Sequence, residues 1–203
     1  TLDKPALICR WRMSNKKVPM LNRHIRALSE RLVQGEPLTH NMLSWAKQHV
    51  EWSLAEGDYT AHDGVLMLVI DVNGNAAMTV GEYEPLADTS AKALRARSAE
   101  ARSEADETGV APELLAAVNN GELAFVAPDD ECLCGTATLI EQLAQTKDMP
   151  VARVDIPAQL KGALFLVSDE HGVVPANDAD AAEADAATVA FFADGYEKLR
   201  ARR

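Results

Sequence analysis

Leu133-Cys134-Gly135-Thr136-Ala137-Thr138-Leu139-Ile140-Glu141-Gln142-Leu143 is the stretch on which the fold turns. Leu139, Ile140 and Leu143 fall at helical spacing, so the glycine ahead of them predicts a helix entered through a glycine turn. Such a start offers backbone N–H groups, two hydroxyls and the positive end of the helix dipole to an anion such as phosphate. Plain capping is the competing explanation for the same residues.

Upstream, residues 114–118 and 122–127 flank Asn119-Asn120-Gly121 and make a hairpin candidate, with a short helix as the alternative for the first arm after Pro112. Downstream, 151–156 and 163–167 read as strands separated by a turn of helix begun at Pro157, and Val173-Val174 as an extended piece before Pro175. A last helix, about 180–202, opens with Asp180, Glu183 and Asp185 and closes with Lys198, Arg200 and Arg202. Both ends suit the macrodipole, and that charge pattern requires no functional explanation.

The N-terminal part has its own order. Residues 7–13 predict a strand and Ser14-Asn15-Lys16-Lys17 a turn; Leu21, Ile25, Leu28 and Leu32 then predict a helix ended by Gly35. Thr39 is placed to cap a second helix with Leu43, Ala46, Val50 and Leu54 inward and Gly57 beyond its end. Trp45 and Trp52, seven apart and near one face, read as core or dimer anchors before they read as a ligand stack. Residues 65–72, Asn73-Gly74 and 76–83 predict a hairpin with a type I′ turn, and the apolar run 66–70 predicts burial on both faces of a sheet. Glu84-Pro85 closes this part. From Ser90 to Thr108 the composition shifts to Ala, Arg, Ser and Glu, which reads as a solvated connecting helix ending at Gly109.

Composition narrows the classes. With 31 acidic against 20 basic residues in 203, the formal charge is −11, so the chain repels phosphate backbones and anionic lipid, and nucleic acid is not the expected partner. No apolar run approaches the roughly 20 residues of a membrane span. Cys9, Cys132 and Cys134 make no disulfide framework, and they are not grouped with His24, His40, His49, His62 or His171, so no metal site is expected. The absence of a signal-like opening segment leads to the expectation of a reducing cytoplasm. Thr1 as a nucleophile with its own amine as base is a third chemical reading; removal of an initiator methionine explains that residue equally well.

In order along the chain, Arg12, Pro19, Leu21, His24 and Leu28; Asn120-Gly121-Glu122-Leu123 with Pro128; Leu133-Cys134-Gly135-Thr136-Ala137-Thr138 with Leu143-Ala144; and Leu164-Phe165-Leu166 with Gly172-Val173-Val174-Pro175 resemble the class IV aminotransferases, the fold-type IV pyridoxal phosphate enzymes. The likeness spans most of residues 8–175. It implies an α+β protein of two small α/β domains of mixed sheets flanked by helices, 1–86 and 111–203, joined by a connector and helix at 87–110. It further implies a homodimer holding pyridoxal 5′-phosphate between the domains. The activity implied is transamination, or the related aminodeoxychorismate lyase chemistry, on a small amino acid or keto acid.

The resemblance also nominates residues. Lys92 corresponds to the lysine whose amine forms an imine with the cofactor aldehyde and then carries a proton. Gly135, Thr136, Ala137 and Thr138 correspond to the phosphate cup, which the Lys92 amine is expected to face across the interdomain cleft; Arg26 is the arginine nearest the family's phosphate clasp, and Glu113 the carboxylate nearest its pyridine-nitrogen partner. Three features depart from the pattern. Ala27 stands at the clasp position itself, Asp169 within Ser168-Asp169-Glu170-His171 stands where the family has a small hydroxyl donor, and the segment from Gly109 to Leu114 is shortened. These departures imply an alternative, a cofactor-free and catalytically silent homologue acting as a binding or assembly protein.

Overall fold

The computed structural model describes residues 1–57, 63–108 and 113–202; Gly109 and Pro112, and with them the junction of the connector with the C-terminal part, lie outside the described residues. The N-terminal part is built from β1 (Pro5–Ser14), α1 (Leu21–Ser29), β2 (Leu32–Val33), β3 (Glu36–Pro37), α2 (His40–Glu56), β4 (Asp63–Asp71) and β5 (Ala76–Glu82). β1, β4 and β5 form an antiparallel sheet in that order, and β2 and β3 pair separately. Leu28 of α1 and Ala46, Val50 and Leu54 of α2 bury one face of it against Leu7, Trp11, Met13, Leu66, Leu68 and Ile70. Thr39 caps α2 by accepting the Met42 N–H at 3.1 Å, as its sequence position predicts.

The C-terminal part comprises α3 (Ala91–Thr108), β6 (Leu114–Asn119), β7 (Glu122–Val126), α4 (Gly135–Thr146), β8 (Val151–Val154), β9 (Ala163–Ser168), β10 (Gly172–Pro175) and α5 (Glu183–Arg200). Its five strands run in the order β10-β9-β6-β7-β8, antiparallel except for the β7–β8 pair. β6 and β9 are buried on both faces. Because strand side chains alternate, Leu114, Ala116, Val118, Phe165 and Val167 meet Ile140, Val189 and Phe192 from α4 and α5. Leu115, Ala117, Leu164 and Leu166 meet Leu94 of α3 on the opposite face. The molecule is α+β; the five-stranded sheet is mixed and covered on both faces, whereas the three-stranded N-terminal sheet is antiparallel throughout rather than mixed.

Four expectations need correction. Residues 66–70 are not buried on both faces; burial alternates along β4 because helices cover one side only. At the β4–β5 hairpin only Gly74 has positive φ, at 82°, and the turn closes by Gly74 N–H donating to the Asp71 carbonyl. The Asp71 carboxylate accepts from the Asn73 and Asn75 N–H groups at 2.9 and 2.8 Å, which favours this wider turn over type I′. The type I′ pattern occurs instead at Asn120-Gly121, where φ is 51° and 76°. α1 stops at Ser29, leaving Leu32 exposed in β2. Trp45 and Trp52 lie outside the core, 40% and 64% exposed, with the His49 ring stacked on Trp45 at 4.8 Å.

Candidate functional site

α4 begins where the two parts of the molecule meet. Its first residue, Gly135, lies against α1: a Cβ there would come within 2.5 Å of His24 Nδ1 and 3.3 Å of the His24 Cα, so glycine is the residue that permits the approach. The indole of Trp11 stacks on the imidazole, 5.2 Å between centroids and 9° from parallel. Only 2% of His24 is exposed. Burial holds its pKa below the ordinary value, against the opposing pull of the Asp169 charge and with a further lowering from Arg23.

One N–H at this helix start meets a carboxylate from the protein itself. Asp169, in the turn between β9 and β10, places Oδ1 2.9 Å from the Thr136 nitrogen and 2.8 Å from the Thr136 hydroxyl, which both donate to it. His24 Nδ1 faces the same oxygen at 3.6 Å, beyond hydrogen-bond length. The turn that carries Asp169 is itself pinned. Its carbonyl accepts from the Arg12 N–H of β1 at 3.0 Å, and the Ser168 hydroxyl oxygen accepts from the Glu170 and His171 N–H groups at 3.1 and 3.0 Å.

Beside this point lies a narrow cleft between β1, α3 and the same turn, about 40 Å³ in volume and lined by Ile8, Cys9, Arg10, Trp11, Arg97, Ala101, Glu104, Glu113, Ser168, Asp169 and Glu170. Sites for small molecules and cofactors are usually roughly 300–1,000 Å³. Ion pairs line the cleft: Arg10 with Glu104 and Arg97 with Glu113, each at 2.6 Å. The Arg10 hydrogen bond is the main reason the Glu104 carboxyl titrates below its usual range, and the hydrogen bond from His171 does the same for Glu170. Burial pushes the Cys9 thiol up to about 12 and the Cys134 thiol up as well, so neither is an activated nucleophile. Toward solvent, the Arg12 guanidinium lies 3.4 Å over the Tyr83 ring, and the Tyr83 hydroxyl pairs with His171 Nδ1 at 3.1 Å.

The residues singled out in the sequence are thus dispersed. Gly135 and Thr136 sit at the anion-seating end of α4, with Ala137 buried behind them. Thr138 donates its hydroxyl to the Gly135 carbonyl at 2.6 Å and accepts from Arg23 at 3.1 Å. Glu113 borders the cleft but is paired with Arg97. Arg26 is exposed on α1, about 200° round the helix from His24. Lys92 is exposed on the first turn of α3; the cleft is lined from that helix by Arg97, Ala101 and Glu104, roughly 120–180° away in helical angle. Lys92 thus sits on a different side of α3 from the residues that line the cleft. Arg10 and Arg97 are contributors that the motif comparison did not include, and His24 is one that it matched without giving it a role. For Arg10 the alternation Cys9-Arg10-Trp11-Arg12 was the available signal, since it sends two arginines to one face of a strand.

No protein-family model matches the sequence, and no curated protein matches it. Solved structures do. A putative branched-chain amino acid aminotransferase from Thermotoga maritima is 15% identical with a TM-score of 0.62, over 98% of this chain and 87% of that one. A hypothetical aminotransferase from Mycobacterium tuberculosis in its apo form is 13% identical with a TM-score of 0.65, over 97% and 89%, and the same enzyme is known in a PLP-bound form. A putative 4-amino-4-deoxychorismate lyase from Legionella pneumophila is 13% identical with a TM-score of 0.61, over 93% and 90%. The chain has the fold-type IV aminotransferase fold. Among the described residues no helix is long and apolar enough to cross a membrane.

Proposed function

We propose that this chain uses the fold-type IV aminotransferase scaffold without pyridoxal phosphate, as a binding or assembly protein whose central cleft is closed by its own side chains. One observation carries the reading: the N–H and hydroxyl of Thr136 are held by the carboxylate of Asp169. A phosphate dianion and a carboxylate cannot share that seat, because like charges a few ångströms apart in a water-poor site repel by several kcal/mol. The lysine that the resemblance nominates for the imine, Lys92, is exposed on the first turn of α3. The cofactor does not fit as the side chains stand, and no catalytic step is derived through it.

The test is to add pyridoxal phosphate to purified protein, reduce with borohydride and map peptides by mass spectrometry, following the melting temperature in parallel. The expected result is no visible imine band, no reduced adduct and an unchanged melting temperature. A stoichiometric adduct on Lys92 with a raised melting temperature would refute the reading, since only a native-state site stabilises by linkage.

The rival is a PLP-dependent transaminase or lyase acting on a small amino acid or keto acid. It is favoured by the fold shared with a PLP-bound neighbour and by the glycine-led start of α4. It requires Asp169 to leave Thr136 and a lysine amine to reach the vacated space. The adduct experiment decides between the two.

A further inference from the structure

Away from the meeting of the two parts, the start of α2 and the β4–β5 turn enclose a shallow hollow of about 430 Å³. Its apolar wall is Trp45, with Met42 and Ala76 beside it. The indole is held from behind: His49, one turn further along α2, stacks on one face at 4.8 Å and 12° from parallel, and is itself flanked by Trp52 at 6.4 Å. Thr39, Asn41 and Met42 precede Trp45 in the chain, so the ring face that His49 leaves uncovered is the one turned toward the hollow. The facing wall is fixed from beneath. Asp71, fully buried, accepts from the Asp3, Asn73 and Asn75 N–H groups at 3.0, 2.9 and 2.8 Å, which sets Asn75 in place through its backbone.

Among the described residues no charged side chain lines this hollow. A ligand here gains nothing from ion pairing, and the formal charge of −11 disfavours an anion. What the walls offer is one aromatic face for an apolar surface and neutral groups that both donate and accept. Asn41 and Asn75 present exposed amides, and Thr39, whose oxygen accepts from the Met42 N–H, keeps its hydroxyl hydrogen to donate. Sugar hydroxyls likewise donate and accept, and the C–H face of a pyranose ring is apolar. We propose that this hollow is a seat for a neutral sugar ring, a pyranoside stacked by its C–H face on Trp45 with its hydroxyls on Asn41, Asn75 and Thr39. Its volume falls within the roughly 300–1,000 Å³ of small-molecule sites. A second copy of the chain is the less favourable occupant, because it would bring together two molecules of charge −11. The inference does not depend on what fills the start of α4.

The test titrates intact protein with methyl β-glucoside, methyl β-galactoside and methyl α-mannoside, with mannitol as an acyclic polyol and adenosine as a planar ring. The readouts are saturation-transfer difference NMR of the ligand and sedimentation velocity of the protein. At least one glycoside is expected to saturate with a dissociation constant on the order of a millimolar, with transfer strongest at its ring C–H protons. Trp45→Ala should weaken that binding roughly tenfold, and Asn41→Ala and Asn75→Ala by roughly three- to tenfold each. Trp52→Ala, on the far side of His49, should leave it nearly unchanged. Saturation by no glycoside overturns the proposal, as does equal binding of mannitol, or adenosine bound where the sugars are not. Undiminished glycoside binding in Trp45→Ala also overturns it; should that variant not fold, undiminished binding in both asparagine variants does so instead. Self-association that Trp45→Ala abolishes would assign the ring to a second copy and equally overturn it. None of these outcomes bears on Asp169, so the cofactor-free reading stands or falls separately.

Discussion

The starts of α3 and α4 are both places where a phosphate-cofactor enzyme of this fold would do its work, and they differ in what they face. α4 opens into the meeting point of the two parts of the molecule, with His24 on Gly135 and Asp169 on Thr136. α3 opens to solvent. Its first N–H groups are met by Ser90 Oγ, which accepts from Ala93 at 3.2 Å, and by Asp178, which accepts from Ala91 at 2.7 Å. What anchors α3 is Leu94, fully buried against Leu115, Leu164 and Leu166, two residues beyond an exposed Lys92. One helix start is thus a converging polar seat and the other an ordinary capped end. The difference shows that an anion-seating geometry does not imply an amine positioned to use it.

The contrast breaks most visibly in the cores beneath these ends. Leu94→Ala should destabilise the protein by about 2–5 kcal/mol, because a fully buried leucine leaves a cavity; chemical denaturation measures it, and a small effect would mean that α3 is not held by this residue. Asp169→Ala should cost roughly 1.5–3 kcal/mol, the range for hydrogen bonds to a charged partner whose donors are then left unpaired. A neutral outcome in chloride would say that Thr136 does not depend on the carboxylate.

The next effect is a pH response. Burial, the largest influence on His24, holds its pKa below the ordinary 6.5, so the unfolded chain takes up a proton that the folded chain refuses. Stability contributed by the neutral imidazole is whole above about pH 6.5 and is lost as pH falls toward the folded value, with a slope of at most about 1.4 kcal/mol per pH unit for one proton. Glu104 and Glu170, whose pKa values are lowered chiefly by their hydrogen bonds with Arg10 and His171, add a second decline in the carboxylate range. Melting temperature against pH should show both limbs, and His24→Gln should remove the upper one alone. Smallest of all, Lys92→Ala should change stability by no more than about 0.5 kcal/mol, as at most exposed positions. A larger loss would give Lys92 a partner that its exposure does not suggest.

Much of the fold was legible because its signals are local. The α2 cap at Thr39, the turn at Asn119-Asn120-Gly121 and the strand at 163–167 are each written within a few residues. The misreadings came from long-range effects. Asp71 reshaped a hairpin that Asn73-Gly74 alone would have made tighter, and the one-sided cover of β4 depended on where α1 and α2 dock. For the site, the motif located the start of α4 and drew attention to Asp169, but not the partner that the carboxylate would find. That pairing joins residues 33 apart in sequence, and His24 reaches it from a third element. The angular position of Lys92 became clear only with Leu94 placed inward.

A crystal structure of the intact protein grown in millimolar phosphate and pyridoxal phosphate tests the central point most directly. The expected map has Asp169 Oδ1 within hydrogen-bond distance of the Thr136 nitrogen and no phosphate at the start of α4. A map with the Asp169 side chain swung away and a phosphate group on Thr136 would contradict it.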